Sequence, residues 1–280
     1  MFFDHFAETG AVCAHRGARA LAPENTMLAA LLGYESGADF WEMDVHKVAD
    51  GSLVVFHDDV LGRTTNVAEL VDFTDRAPWP THMFTLKELH RLDAGSWFVR
   101  DDPFGTLADG QVAGEQLDAM HGLKIPTLRE TLEFTRLHDL PMNIEIKDQV
   151  QAPGDLSIVD DILGEIRESN TADLILISSF NHEYLVRMQK IAPEIPIAAL
   201  VEDSHPDDLV AYLRHMGATG YHPDKDMVEP ELVRMLAGHT IRVTPYTVNN
   251  MDQALSLIDA GCFGITTDFP HLLRQRLSVR

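Results

Sequence analysis

The sequence predicts an α/β fold, a (β/α)8 TIM barrel with an insertion after the third strand. Short β-rich runs alternate with helical stretches along most of the chain, and this alternation is typical of a parallel sheet covered by helices. About eight β-rich runs are present, which favours a closed barrel over an open sheet. The chain has 280 residues, and one barrel commonly fills ~200–250 residues. We therefore expect a single barrel domain over residues 1–280.

The predicted strands and helices follow one another from the N-terminus. The strand-like runs are AVCAH, DFWEMDVH, SLVVFH, PMNIEIK, DLILISSF, IPIAALV, IRVTPYTV and FGITTD. Helical spacing of apolar residues marks NTMLAALLGYESG, LSIVDDILGEIRES and MDQALSLIDAG. In the first of these, Asn25 or Thr26 is the predicted N-cap and Gly37 the predicted end.

One region interrupts this alternation. Only KVADG separates the second run from the third, which is too short for a crossover helix, so the two runs form a hairpin or an irregular part of the barrel. Asp50-Gly51 suits its turn. An insertion of about residues 61–126 follows, with one plausible short helix in TLKELHRLDAG. We expect it over the mouth of the barrel as a functional or mobile loop, although its Gly- and Asp-rich middle is equally compatible with a disordered segment.

The overall composition excludes several classes of partner. The net charge of −22 disfavours nucleic acid and anionic membranes, but a small anionic substrate needs only a local positive site. Cys13 and Cys262 match no zinc motif or disulfide framework and are predicted to be buried thiols. The N-terminus lacks the features of a signal peptide, and no apolar run reaches the ~18 residues of a membrane span. We expect a cytoplasmic protein.

Carboxylates follow the strand pattern at two places. Residues two apart in a strand face the same way, so Glu42 shares a face with Asp44, and Glu145 shares one with Lys147. Barrel active sites lie at the C-terminal ends of the strands, where these groups would meet. Three converging carboxylates are an all-oxygen site, which suits Mg²⁺ or Ca²⁺. Each element alone has an ordinary interpretation, namely a solvated Glu-x-Asp pair and a surface ion pair.

Histidines and cations complete the pattern. His15 and His57 lie at strand ends, where imidazoles can exchange protons with a reacting group. Arg16 can bind phosphate oxygens in a bidentate manner, and Lys147 adds a second positive charge. These residues predict metal-assisted transfer at an anionic centre. They do not by themselves choose between phosphodiester and enolate chemistry.

The motifs decide between these reactions by resemblance. The chain resembles the glycerophosphodiester phosphodiesterase family, most closely its cytoplasmic bacterial members, from Ala14 to about Leu273. The matching segments, in order, are AHRGARALAPENT, WEMDV, DGSLVVFHDDVLGRTTN, TLKELHRLDAGSWF, IPTLRE, NIEIK, SSFN, YTVN and GITTDFP. The resemblance implies an enzyme, a phosphoric diester hydrolase with a barrel fold. It would hydrolyse glycerophosphodiesters to sn-glycerol 3-phosphate and an alcohol.

The resemblance also assigns roles to residues of the central site. His15 and His57 match the general acid/base pair of the family. Glu42, Asp44 and Glu145 match the ligands of one divalent cation, Mg²⁺ or Ca²⁺.

Further roles follow from the same resemblance. Arg16 matches the phosphate contact, and Lys147 matches a cationic neighbour of phosphate and metal. Asn25 lies in the Pro-Glu-Asn-Thr turn, where we favour a structural cap. Tyr246 replaces a Trp frequent in the family, and either lines the glycerol pocket or belongs to the core.

Several alternatives remain open from the sequence. The segment after RTTN and the long acidic insertion depart from the family pattern. The identity of the alcohol that the enzyme releases is therefore undetermined from the sequence. The order of the two histidines, and direct water attack against a cyclic phosphate route, are also open. Rival functions are a metal-dependent lyase or enolising enzyme with Lys147 as base, a phosphodiesterase for another diester such as a lysophospholipid, and an inactive ligand-binding barrel. We expect a small-molecule substrate, no nucleic acid and no membrane span, with the oligomeric state undetermined.

Overall fold

The computed structural model describes residues 1–279, so Arg280, the last residue of the predicted domain, lies outside the described residues. The strands are β1 (Ala11–His15), β2 (Phe40–Lys47), β3 (Leu53–Val55), β4 (Met142–Ile146), β5 (Ile175–Ser179), β6 (Ile197–Val201), β7 (Gly220–Pro223), β8 (Arg242–Val243) and β9 (Gly264–Thr267). The α-helices are α1 (Met27–Glu35), α2 (Leu86–Leu89), α3 (Ser96–Asp101), α4 (Gly114–Met120), α5 (Leu128–His138), α6 (Ser157–Ser169), α7 (His182–Ile191), α8 (Leu209–Met216), α9 (Pro230–Ala237), α10 (Met251–Asp259) and α11 (Pro270–Ser278).

Eight of these strands form a nearly closed parallel barrel, as predicted. The order around the barrel is β8-β7-β6-β5-β4-β2-β1-β9. Backbone hydrogen bonds bring β9 to the segment of β8 and close the ring, since the Phe263 amide donates to the Val243 carbonyl over 2.9 Å. Helices between the strands cover the outside, which gives the (β/α)8 TIM architecture.

The predicted hairpin is confirmed, and the list of strand-like runs omits one barrel strand. The third predicted run, SLVVFH, supplies β3, which pairs only with β2 in an antiparallel hairpin and is not one of the eight barrel strands. The missing barrel strand is β7, with the sequence GYHP. Glycine and proline are depleted in strands, so this short segment carries no β signal, and its pairing with β6 and β8 defines it.

The barrel strands are buried on both faces. Trp41, Met43 and Val45 of β2 pack in the main hydrophobic cluster under the helices, together with Ile144 and Ile146 of β4. The opposite face of these strands therefore points into the barrel, as the two-residue period predicts. Cys13 and Cys262 are buried free thiols, which confirms their predicted state.

Of the two residues predicted to cap α1, Asn25 and Thr26, only Thr26 does so. Thr26 is the N-cap, because its hydroxyl accepts a hydrogen bond from the Ala29 amide. Asn25 is not a cap. Its backbone is in the left-handed region at φ +57°, and its side chain is hydrogen-bonded to Asp44. Asn25 therefore contacts a site carboxylate, contrary to the structural role favoured from the sequence.

The insertion lies beside the C-terminal mouth of the barrel. It contains α2, α3, α4 and three short 3-10 turns, Val67–Glu69, Val71–Arg76 and Thr81–Met83. One hydrophobic cluster is formed by the insertion and the β3 hairpin, and a second joins Trp97, Phe98 and Met120 to the segment after β1. The ring of Phe104 packs edge-on against Phe269, just after β9, at 5.6 Å between centroids. These contacts place the insertion at the mouth, as expected from the sequence.

Among residues 1–279, no helix combines the length and the apolar character needed to cross a bilayer.

Candidate active site

Three buried carboxylates meet at the C-terminal mouth of the barrel. Glu42 and Asp44 project inward from β2, and Glu145 projects from β4, whose register places it opposite Asp44. One oxygen of each carboxylate lies within 4.8 Å of the others. The structure therefore brings together the three predicted metal ligands.

The electrostatics of this group fit a cation. Burial and the charges of the other two carboxylates raise the pKa of Glu42 well above its usual value. Burial, followed by the charge of Asp44, also raises the pKa of Glu145. Oε1 of Glu42 and Oδ1 of Asp44 are buried without a hydrogen-bond partner. Oxygen atoms that repel one another and lack donors match the ligands of a hard divalent cation.

Arg16 and Lys147 lie on the same carboxylates. Nζ of Lys147 is 2.7 Å from Glu145 and 3.6 Å from Asp44. Nε of Arg16 is 3.2 Å from Asp44, and its backbone amide donates to Glu42 over 3.1 Å. Although burial would raise the pKa of Asp44, the charges of Arg16, His57 and Lys147 lower it below its usual range. Both predicted phosphate contacts therefore border the three carboxylates.

His15 ends β1 and is held by an aspartate from the far end of the chain. Its Nδ1 is 2.6 Å from Asp268, which follows β9. Asn249 donates to the other oxygen of Asp268 over 2.7 Å. Burial, with the charge of Arg16, lowers the pKa of His15, and this outweighs the opposing effect of Asp268. A neutral imidazole that donates from Nδ1 leaves Nε2 as a proton acceptor.

His57 has a similar partner next to it in sequence. It lies two residues beyond the end of β3, and its Nδ1 is 2.6 Å from Asp58. Arg63 holds Asp58 in turn, with its Nε 2.6 Å from the carboxylate. The side chain of His57 is 31% exposed, against 11% for His15. The two histidines therefore differ in their access to solvent.

Tyr246 borders the central cavity. It lines a cavity together with His15, Glu42, Glu145 and other residues of the barrel interior. Its hydroxyl donates to the Val201 carbonyl over 3.2 Å. The half-buried ring thus forms part of the pocket wall, one of the two positions expected from the sequence.

A family model matches nearly the whole chain. The model of the glycerophosphoryl diester phosphodiesterase family matches residues 15–272. The chain belongs to this family.

Relatives and solved structures agree with this assignment. The chain is 35% identical over 263 residues to a glycerophosphodiester phosphodiesterase of Caldanaerobacter subterraneus subsp. tengcongensis, covering 94% of this chain and 95% of that protein. It is 35% identical to one of Bacillus altitudinis, covering 92% and 94%. An Oleispira antarctica phosphodiesterase, solved with the product sn-glycerol-3-phosphate, superposes with a TM-score of 0.81 at 26% identity, covering 96% and 97%.

The resemblance seen in the sequence is therefore confirmed, and the chain is an enzyme of the phosphodiesterase class. In this member of the glycerophosphoryl diester phosphodiesterase family, each of the two histidines has an aspartate partner. Neither aspartate was singled out from the sequence. Asp58 adjoins His57, so adjacency was an available signal. Asp268 lies within the quoted GITTDFP segment, but 253 positions separate it from His15, and only the closing of the barrel brings them together.

Glu24 was also missed. It is buried and contacts three arginines, with Arg16 at 2.8 Å, Arg19 at 2.9 Å and Arg63 at 2.6 Å. Burial would raise its pKa, but the hydrogen bond from Arg63 and the charges of these arginines lower it well below the usual value. Glu24 belongs to the Pro-Glu-Asn-Thr segment typical of the family, and it orients Arg16 toward the carboxylates.

The charges of the site and its surrounding ion pairs are unequal. Six carboxylates face four cationic side chains, the members being Glu24, Glu42, Asp44, Asp58, Glu145, Asp268, Arg16, Arg19, Arg63 and Lys147. Acidic side chains therefore outnumber basic ones at this site, which suits a bound cation.

Proposed function

We propose that the chain hydrolyses glycerophosphodiesters to sn-glycerol 3-phosphate and an alcohol, with a divalent cation and two histidines. The observation that carries this proposal is the cluster of three buried carboxylates, two of which, Glu42 and Glu145, line one cavity with His15. The family match and the product-bound Oleispira antarctica structure support the substrate class.

Glu42, Asp44 and Glu145 would hold the cation, and their all-oxygen chemistry suits Mg²⁺ or Ca²⁺. A bound divalent cation supplies Lewis-acid polarisation of a phosphoryl oxygen and neutralises charge there. Arg16 and Lys147 border these carboxylates and are positioned to attract and orient the anionic phosphodiester.

The histidines divide the proton transfers. His15 is buried and its pKa is lowered, so it is unprotonated at neutral pH, and its Nε2 can take a proton from the attacking oxygen. His57 is more exposed, so after giving a proton to the departing alcohol it can take up another proton from solvent. This suits a general acid. Asp268 and Asp58 fix the orientation of the two rings through Nδ1. This assignment holds whether the attacking oxygen belongs to water or to the adjacent glycerol hydroxyl.

The lyase alternative requires Lys147 to act as a base. Burial would lower its pKa, but the charges of Asp44 and Glu145 raise it above the usual lysine value. A protonated lysine cannot abstract a proton, so the contacts of Lys147 with Asp44 and Glu145 favour phosphodiester chemistry over enolisation.

The test is a substrate panel with coupled detection of glycerol 3-phosphate. The choline, ethanolamine, glycerol and inositol diesters, together with a lysophospholipid, are assayed after EDTA treatment and again with Mg²⁺, Ca²⁺ or Mn²⁺. We expect glycerol 3-phosphate from the small diesters, loss of turnover with EDTA and recovery with at least one ion. Full activity after thorough chelation would remove the cation from the proposal. The lysophospholipid keeps its acyl chain and yields lysophosphatidic acid, which is detected separately, and its release from the lysophospholipid alone would replace the substrate class.

We also propose a cytoplasmic location. The two thiols at Cys13 and Cys262 are free and buried, which is compatible with a reducing compartment. Fractionation of the source cells with an antibody against the chain tests it.

A further inference from the structure

The mouth of the barrel has two unlike halves. The groups described above come from neighbouring strands on one side, β9, β1, β2 and β4. The other half is formed by the ends of β5, β6, β7 and the segment after β8. The residues that follow these strands there are Phe180, Glu202, Asp224 and Tyr246.

Two aromatic rings pack edge to face on this second half. The centroids of Phe180 and Tyr246 are 5.9 Å apart, and their planes are at 87°. Phe180 is 39% exposed, so part of a large apolar ring is open to solvent at the mouth. His15 and Tyr246 line the same cavity, and Phe180 lies against Tyr246 at its edge, so one ester group of a phosphodiester bound at His15 would extend toward this ring pair.

Carboxylates surround the same rings. The Tyr246 hydroxyl donates to the carbonyl of Val201, the residue before Glu202, and Asp224 forms a parallel β-bridge with Tyr246. Both acidic residues therefore border this tyrosine, and after burial their charges are the leading causes that raise its pKa. Glu202 makes no ion pair within residues 1–279, and the neighbouring Lys225 is engaged with Asp226 at 2.9 Å. The second half of the mouth is therefore negative and carries exposed aromatic surface.

The floor below the rings is polar and uncharged. His222 of β7 is 4% exposed, lines the cavity and has no hydrogen-bond partner in the described part of the chain. Burial lowers its pKa to about 3, so it adds no positive charge at neutral pH. Oγ of Ser178 and Oδ1 of Asn143, which line the same cavity, are also buried without partners. Unsatisfied polar groups of this kind indicate that the space receives a polar ligand.

We propose that Phe180, Glu202, Asp224 and Tyr246 form a subsite for a leaving alcohol that carries an ammonium group, as in choline or ethanolamine. We name it the ammonium subsite. An ammonium group over the face of an aromatic ring is attracted by the π electrons, and carboxylates that are not in an ion pair add to this attraction. The phosphate then lies on the cationic half of the mouth and the ammonium group on the anionic half. This inference rests on the proposed function and names the alcohol that the sequence left open.

The test compares glycerophosphocholine with its uncharged isostere, the 3,3-dimethylbutyl ester of glycerol 3-phosphate. The two diesters have the same shape, and a carbon atom replaces the quaternary nitrogen in the isostere. The wild-type enzyme should favour glycerophosphocholine in kcat/KM by about 10-fold or more, the size of one shielded cation–π contact. Free glycerol 3-phosphate is measured for both.

Two variants locate the preference. Glu202→Gln removes one charge and Phe180→Leu removes one ring, and each should lower the ratio of the two kcat/KM values toward one. Because the ratio is taken within each variant, a general loss of activity cancels. Glu194→Gln is the matched control, since Glu194 is exposed in the loop before β6, at the opposite end of the barrel, and it should keep the wild-type ratio.

The outcomes separate the two proposals. A wild-type ratio near one, or a ratio that both variants leave unchanged, overturns the ammonium subsite while the proposed function stands. If neither diester yields glycerol 3-phosphate, the proposed function fails and the subsite fails with it.

Discussion

At the scale of single residues, each histidine of the site is one member of a pair. Asp268 holds His15 and Asp58 holds His57, both through Nδ1 at 2.6 Å. Neither aspartate contacts the three carboxylates, so both are positioning residues that act through the imidazoles. The contribution of each imidazole, and of the aspartate that holds it, can be measured separately through kcat.

Replacing either histidine should remove one proton transfer. We expect His15→Ala and His57→Ala each to lower kcat roughly 10²–10⁴-fold, with circular dichroism unchanged. His90→Ala is the control, since His90 is exposed within the insertion and should retain normal turnover. Near-normal kcat in both site variants would refute the assignment.

Asp268→Asn should disturb His15 without removing it. The amide of asparagine accepts the hydrogen bond from Nδ1–H of His15 more weakly than the carboxylate does. The imidazole then loses its preferred tautomer, and kcat should fall roughly 10²–10⁴-fold. The pH profile of kcat should also shift, because His15 loses the interaction that opposes its lowered pKa. A structural role alone would alter stability but leave the shape of the pH profile unchanged.

The same aspartate links stability to pH. Although burial opposes it, the hydrogen bond from His15 lowers the pKa of Asp268 to about 2, from 3.8. A lowered carboxylate pKa stabilises the fold above the unfolded value, and this stability is lost as pH falls from about 4 through 2. The loss is about 2 kcal/mol. Urea unfolding between pH 5 and 2 measures it, and the slope should flatten in Asp268→Asn. An equal slope in the variant would assign the effect to other groups.

At the scale of elements, the insertion is attached to the barrel by close packing around α3 and α4. Gly95, just before α3, lies so close to the end of α4 that an added Cβ would be 1.8 Å from the Met120 carbonyl oxygen. Phe98 and Met120 of these helices are fully buried in the cluster shared with the barrel. A glycine is required at this contact because of space.

Gly95→Ala should therefore loosen the insertion. The backbone must shift to admit the methyl group, and such overpacking costs about 1–3 kcal/mol of unfolding free energy. Thermal and urea unfolding provide the measurement. Gly114→Ala is the control, because a Cβ added at Gly114 would have no other atom within 4 Å, and its change should stay within about 0.5 kcal/mol. Equal stability of the two variants would contradict the close contact.

At the scale of the whole molecule, charge is distributed unevenly. The chain carries a net charge of −22, yet arginines and a lysine surround the three carboxylates at one half of the mouth. An acidic surface repels anionic polymers, while the local cations attract a small phosphodiester. If the three carboxylates hold a divalent cation, as proposed, the stability of the fold should respond to that ion.

A divalent cation should stabilise the folded protein. With the ion at 100 times its Kd, the free energy of unfolding should rise by about 2.7 kcal/mol, which a thermal melt of EDTA-treated protein detects. Asp44→Asn should lose most of this rise. Asp252→Asn, an exposed change with a side chain 84% accessible, should keep it. The same rise in all three proteins would indicate nonspecific binding.

Much of this protein could be read from its sequence, because strand periodicity and local motifs are short-range properties. The alternation of runs predicted the barrel, and the two-residue period placed Glu42 and Asp44 on one face. The hairpin at Asp50-Gly51 followed from a connection too short for a helix. Strand β7 escaped this reasoning, since its Gly and Pro carry no β signal.

Contacts between distant segments could be seen only in the folded chain. Asp268 meets His15 because β9 pairs with β1, and Glu24 gathers three arginines from the segment after β1 and from the insertion. The division of the mouth into a cationic and an anionic half likewise depends on strand order. Sequence periodicity specifies which face a side chain takes, whereas closure of the barrel specifies which side chains then share a cavity.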